Sequence, residues 1–116
     1  MKSLDMKGPF PLESKEVDDQ VSKKSAGNYA LGKEREKGNF IPKYVGRSDT
    51  NVNARIKDHV DSEYPLFKFS YAESSKEAFK KECKNYHDFV KNLDNDIHPD
   101  RPDGKDWKCP VCNVFG

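Results

Sequence analysis

Gly27-Asn28-Tyr29-Ala30-Leu31-Gly32 and, after a charged turn, Phe40-Ile41-Pro42-Lys43-Tyr44-Val45-Gly46 decide how this chain folds. Asn28 to Gly32 alternates weakly between polar or small and apolar side chains, the pattern of a strand with one buried face. Lys33 to Gly38 is a charged turn closed by glycine. Phe40 to Gly46 is rich in aromatic and β-branched residues and reads as a second strand. Pro42 lacks the N–H a central strand needs, so it argues for a sheet edge or a bulge. Together the two segments make a hairpin.

Working outward, Ser48-Asp49-Thr50-Asn51 is a run of helix-capping residue types. The helix it opens, about Val52 to Asp61, carries Val52, Ile56 and Val60 in one row at spacing four. Leu66 to Tyr71 alternates as a third strand. Ser74 with Glu77 three residues on is a capping-box signature, and it opens the strongest helix of the chain, about Ser75 to Lys91. On the N-terminal side, Ser14 caps a short helix to about Val21, and Ser25-Ala26-Gly27 is a turn. Gly8-Pro9-Phe10-Pro11 argues against regular structure before it. Residues 1–13 are therefore expected to be a flexible tail, 14–99 the folded domain, and 100–116 an irregular segment packed on it. The expected class is α+β, with a small three-stranded, mostly antiparallel sheet flanked by helices.

Composition sets the limits. With 116 residues, 34% hydrophobic and 35% charged, one domain with a small core is expected. No apolar run approaches the roughly 20 residues of a membrane span. The N-terminal stretch lacks the apolar centre of a signal peptide, so the expected location is cytoplasmic or nuclear rather than secreted. Three cysteines are too few, and odd in number, for a disulfide framework. The net charge of +1 hides a basic middle: residues 23–57 hold nine Lys or Arg against three acids. The flanks are acidic, with three bases against five acids in 1–22 and nine against twelve in 58–116. A local basic segment suits a polyanion site; scattered solvated lysines are the plainer reading.

Gly27-Asn28-Tyr29 and Tyr44-Val45-Gly46 resemble the paired signatures of the GIY-YIG nucleases. The resemblance continues in order. Arg47 follows the second motif, Arg55 and His59 lie on and beside the next helix, Glu82 sits within the long helix, and Asn95 comes after it. It covers roughly residues 14–99. What it implies is a phosphodiester hydrolase acting on nucleic acid, DNA before RNA, with one Mg²⁺ or Mn²⁺ held by Glu82. Tyr29, Tyr44, Arg55, His59 and Glu82 would be the catalytic set. Lys43, Arg47, Lys57 and Asn95 would contact nucleic acid.

The chemistry asks for these residue types. Hydrolysis needs a positioned water, a base to deprotonate it, and neutralisation of charge at phosphorus. A carboxylate can hold a divalent ion that meets a phosphate oxygen, and arginine offers a fixed fork for phosphate. Tyr44 would be the base, with Tyr29 or His59 positioning water or sharing the proton. Each residue also has a bland reading. The tyrosines are ordinary strand residues, Arg55 and His59 a solvated flank, Glu82 a surface charge, and the glycines turn formers.

A second metal site is expected near the end of the chain. Cys83 and His87 are four apart on the long helix and share a face. Cys109-Pro110-Val111-Cys112 supplies two more thiol positions. Together they give the four soft ligands of a structural Zn²⁺, which would staple the tail to the domain. At about 100° per residue, Phe79, Cys83, Tyr86 and Val90 centre the buried stripe, while Glu82 lies about 100° from Cys83 and 140° from His87. The carboxylate can then face the hairpin while thiol and imidazole face the tail. A redox role for Cys109 and Cys112, an inert trio of cysteines, or His98 in place of His87 remain alternatives. Trp107 is expected to anchor the tail; gripping of nucleic acid by Trp107 or Arg101 is the other reading. An endonuclease of this size has no separate DNA-recognition domain, so weak specificity or a recruiting protein partner is expected. The competing functions are a non-catalytic nucleic-acid-binding module and a zinc-stabilised interaction domain.

Overall fold

A computed structural model of the chain describes residues 4–34, 40–91, 93–95, 99, 107 and 109–111. The elements run β1 (Lys7–Pro11), α1 (Ser14–Gln20), β2 (Gly27–Glu34), β3 (Phe40–Ser48), α2 (Val52–Lys57), β4 (Leu66–Tyr71) and α3 (Ser75–Phe89). The architecture is α+β. Three strands are expected from the sequence, but the sheet has four, all antiparallel, in the order β1-β4-β2-β3.

The extra strand comes from the segment expected to be a tail. Lys7–Pro11 pairs with β4 at the sheet edge. An edge strand bonds a neighbour on one side only, so prolines with no N–H are tolerated there. Gly8 takes φ 122° beside a register shift between Lys7 and Phe10. Phe10 then packs against Phe67 and Phe69, with ring centroids 5.6 and 6.1 Å away. Those ring contacts are what the proline-and-glycine reading omits.

β2 is the central strand of the hairpin, bonded to β3 on one side and β4 on the other. Its residues Gly27 to Gly32 are all buried. The period of two sorts its side chains. Tyr29 and Leu31 join Val17, Val21, Val52, Ile56, Phe67 and Phe69 in the core under α1 and α2. Ala30 and Val45 pack on the other face with Tyr86 and Phe89 of α3. Pro42 satisfies both sequence readings: β3 is an edge strand, and Lys43 is bulged out where Leu31 pairs with Tyr44 but Gly32 pairs with Pro42.

α2 is shorter than its apolar row suggests. It ends at Lys57, and residues 58–61 continue as turns from which Val60 still packs on the core. Its N-terminus is capped by Asn51, whose side-chain oxygen accepts from the Ala54 N–H. α3 starts as expected, with Ser74 Oγ accepting from the Glu77 N–H. It buries Ala78, Phe79, Glu82, Cys83 and Asn85. Val90, expected on the buried stripe, is 43% exposed, because the helix has already ended at Phe89. No helix among the described residues is long and apolar enough to cross a membrane.

Candidate active site

Tyr29 and Tyr44 stand on the same face of adjacent strands, as their register requires: Tyr29 is opposite Gly46 and Tyr44 opposite Leu31. Their rings stack at 6.5 Å between centroids. Gly46 makes this possible. A Cβ there would lie 2.4 Å from both Cζ and Oη of Tyr29, so only a residue without a side chain lets the phenol lean across β3. Tyr29 is 2% exposed yet still reaches a cleft.

The tyrosine hydroxyl meets His59 Nε2 at 3.0 Å. His59 lies in the turn just past α2, and its ring also sits 5.2 Å from that of Tyr44. Burial first, and then the Arg55 charge, lower the His59 pKa, opposed by Asp58. The neutral imidazole has one donor and one acceptor nitrogen, so its tautomer sets which of the two groups donates. Burial above all pushes the Tyr29 phenol well above its ordinary value, and Arg55 opposes this. Tyr29 is thereby held as a neutral phenol.

On the other face of β3, Arg47 reaches α3. Its Nη1 donates to Glu82 Oε1 at 2.6 Å and its Nε to Asp49 Oδ1 at 3.0 Å. Both members of the Arg47–Glu82 pair are nearly buried, with side-chain exposures of 13% and 11%. Burial pulls the Arg47 charge down, but Glu82 and Asp49 more than restore it. Burial also pushes the Glu82 carboxyl up, and Arg47 recovers only part of that cost. The guanidinium additionally lies over the Phe79 ring at 5.3 Å.

These two half-sites meet because β3 is an edge. A cleft of about 670 Å³ wraps around it, lined by Tyr29, Tyr44 and Gly46 from one face and Arg47 and Glu82 from the other. Ser48, Asp49, Thr50, Arg55, Asn95 and Pro99 complete the wall. The acid and the tyrosine are close enough to feel each other: Glu82 contributes to the raised Tyr29 pKa, and Arg55 to lowering that of Glu82. No family profile, curated protein or solved structure matches the chain.

Six of the expected site residues therefore share one cleft: Tyr29, Tyr44, Arg47, Arg55, Glu82 and Asn95. His59 stands behind its wall. The other two do not join. Lys43 lines a separate groove with Lys33, Glu63, Tyr64, Pro65 and Asp94. Lys57 is ion-paired with Asp18 of α1. Arg47 and Asn95 are also tied up within the fold. Asn95 acts as a substitute strand, its Oδ1 accepting from Val45 N and its Nδ2 donating to Val45 O, both at 3.0 Å. This closes the open edge of β3 that would otherwise leave those groups unpaired.

Ser48, Asp49 and Thr50 are site residues the sequence reading spends on capping. Only Asn51 caps α2. Ser48 Oγ instead accepts from the Thr50 and Asn51 N–H groups and shapes the loop that turns Asp49 toward Arg47. The signal available was an arginine two residues before an aspartate at the end of a strand.

For a divalent cation the cleft offers Glu82, with Asp49 as a neighbouring acid; both carboxylates are ion-paired with Arg47. Among the described residues no group of three or more His, Cys, Asp or Glu gathers to hold a metal. Of the expected zinc ligands, Cys83 and Cys109 are both buried and neither is in a disulfide, His87 is half-buried on α3, and Cys112 lies outside the described residues, as do His98 and Arg101. Trp107 packs on Phe79 with ring centroids 6.1 Å apart.

Proposed function

We propose that this chain is a metal-dependent endonuclease of the GIY-YIG kind, hydrolysing phosphodiester bonds in DNA inside the cell. The observation that carries the reading is the convergence of Tyr29, Tyr44, Arg55 and Glu82, from two strands and two helices, on one open cleft.

In this reading Glu82 would hold a Mg²⁺ or Mn²⁺ ion, which would supply positive charge beside the scissile phosphate. Arg55, exposed on the cleft wall, offers two parallel N–H groups to the phosphate. Tyr44, acting as a phenolate after releasing its own proton to solvent, takes the proton from the attacking water. Tyr29 stays protonated, is fixed by its hydrogen bond with His59 and orients that water. The tightly held Arg47 keeps the Glu82 carboxylate in place and ionised. Lys43 and Lys57 stand outside the cleft, so few cations are left to grip a long duplex. That favours a weakly specific enzyme or one recruited to its substrate by a protein partner.

Supercoiled plasmid incubated with Mg²⁺ or with a chelator tests this directly. Nicking is expected with the metal alone, and is lost in Glu82→Gln and Arg55→Ala proteins that retain native circular dichroism. Unchanged cleavage by Glu82→Gln would exclude the mechanism. One observation favours a second reading, a non-catalytic nucleic-acid-binding module: Arg47 already neutralises both Glu82 and Asp49. That reading requires salt-sensitive DNA binding by the wild type with no nicking under any divalent ion.

A further inference from the structure

Beside the cleft, on the same edge strand, lies a second groove of about 410 Å³. The two openings follow one another along β3: Tyr44 and Asn95 line the cleft, and their chain neighbours Lys43 and Asp94 line the groove. Where they meet, the Asp94 N–H donates to the Lys43 carbonyl. A row of rings runs from one opening to the other. Tyr29 and Tyr44 lie 6.5 Å apart between centroids, and Tyr44 and Tyr64 6.4 Å apart.

Tyr64 is the ring of the groove, and it is held from two sides. Its body packs on the core under α1 and α2, and its hydroxyl donates to Asp94 Oδ2 at 2.8 Å. Burial first, and then that bond, push the phenol well above its ordinary value, so it carries no charge. A fixed, half-covered ring in a groove is a platform on which a planar base can stack. Lys33 and Lys43 stand beside it. Neither is ion-paired among the described residues, although Glu63 and Asp94 line the same groove. Lys43 is also the residue bulged out of β3. Two cations against two acids give no net attraction for a long polyanion, so phosphate contacts here are local and the ring carries most of the affinity. In a duplex each base is covered by its neighbours, and a recessed ring meets a base only where the strand is unpaired.

We propose that this groove binds an unpaired strand running on from the phosphate in the cleft, one base stacking on Tyr64 and the adjacent phosphates meeting Lys33 and Lys43. The proposal rests on the cleft holding nucleic acid, and it names the substrate class: DNA with a single-stranded segment beside the cut, preferred over continuous duplex.

Fluorescence anisotropy in the presence of chelator measures binding without cleavage. A short labelled oligothymidylate should bind more tightly than a duplex of the same length. Tyr64→Ala should weaken binding about 5- to 150-fold, the worth of one base–aromatic stack, while Tyr64→Phe keeps the ring and should retain it. Lys33→Ala combined with Lys43→Ala should make the log–log salt slope shallower by about 1.4, for two lost phosphate contacts on a single strand. An oligonucleotide carrying 5-iodouracil should photocrosslink to Tyr64 in the wild type, a result that depends on no variant folding. Duplex bound as tightly as single strand, crosslinks confined to residues elsewhere, or a folded Tyr64→Ala protein that binds like wild type each overturn the proposal. The two readings fail separately: a protein that nicks plasmid with any of these results loses the groove and keeps the nuclease, and one that binds single strands through Tyr64 without cleaving keeps the groove and loses the nuclease.

Discussion

Replacing Gly46 by alanine should damage both the fold and the cleft, through one side chain. The new methyl would sit 2.4 Å from Cζ and Oη of Tyr29, about 1 Å short of ordinary van der Waals contact. Tyr29 has no slack: it is 2% exposed and wedged among Tyr44, His59 and the core under α2. Either the ring moves by about that 1 Å or β3 bows outward, and overpacking of this kind costs about 1–3 kcal/mol. For a domain of this size that corresponds to a drop in Tm of about 3–15 °C. The movement pulls the Tyr29 hydroxyl away from His59 Nε2, now at 3.0 Å. If the nuclease reading holds, a displacement of that size lowers nicking on the order of 100-fold. Thermal melts by circular dichroism and a plasmid assay measure the two effects. A double-mutant cycle isolates the cause: with Tyr29→Leu the methyl has room, so Gly46→Ala should cost about 1–2 kcal/mol less in that background. Additive losses, or a Gly46→Ala protein that melts like wild type, would refute the steric argument.

Arg47→Ala leaves Glu82 buried without its partner and should lower the free energy of unfolding by about 3–5 kcal/mol, read from urea titration. Asn95→Ala removes both bonds to the Val45 backbone and should cost about 1–3 kcal/mol; loss of hydrogen-exchange protection at the Val45 amide is the local readout. The folded pKa of His59 lies below its ordinary 6.5 because burial and Arg55 disfavour the imidazolium. Its neutral form therefore stabilises the fold fully above 6.5, and that contribution is lost as pH falls through 6.5 toward the lower folded value. His59→Gln should flatten the decline in urea midpoint between about pH 7.5 and pH 5; an identical decline in the variant would show that His59 is not its source.

The order of strands and helices is legible in the sequence because each local signal agrees with its surroundings. Ser74 and Glu77 start α3 without help from tertiary contacts, and Pro42 marks the bulged edge of the hairpin wherever the rest of the chain lies. β1 is illegible for the opposite reason. Two prolines and a glycine are poor strand formers, and what holds them in the sheet is the packing of Phe10 on Phe67 and Phe69, residues more than fifty positions away. The placement of the lysines is likewise set by distant contacts. Charge in a sequence window says nothing about which side of a helix meets Asp18, and Lys57 meets it.

The cleft itself shows where pattern reading stops. Alternation along β2 and β3 assigns Tyr29 and Tyr44 to one face and Arg47 to the other, which taken alone separates the tyrosines from the acid that Arg47 holds. In a central strand that separation would be final, because a neighbouring strand fills the space between the faces. At an edge strand the two faces are continuous through solvent, and a residue lacking Cβ lets a large ring lean toward the rim. Gly46 is that residue. The glycine of the Tyr44-Val45-Gly46 motif is thus explained by what it lets past rather than by any turn. The same edge then has to be protected from pairing with another chain, and Asn95 does so at Val45, between the cleft-lining Tyr44 and Gly46. Site and seal lie along one strand because only an unpaired edge can expose both faces to a substrate, and an unpaired edge left bare would be exposed to aggregation as well.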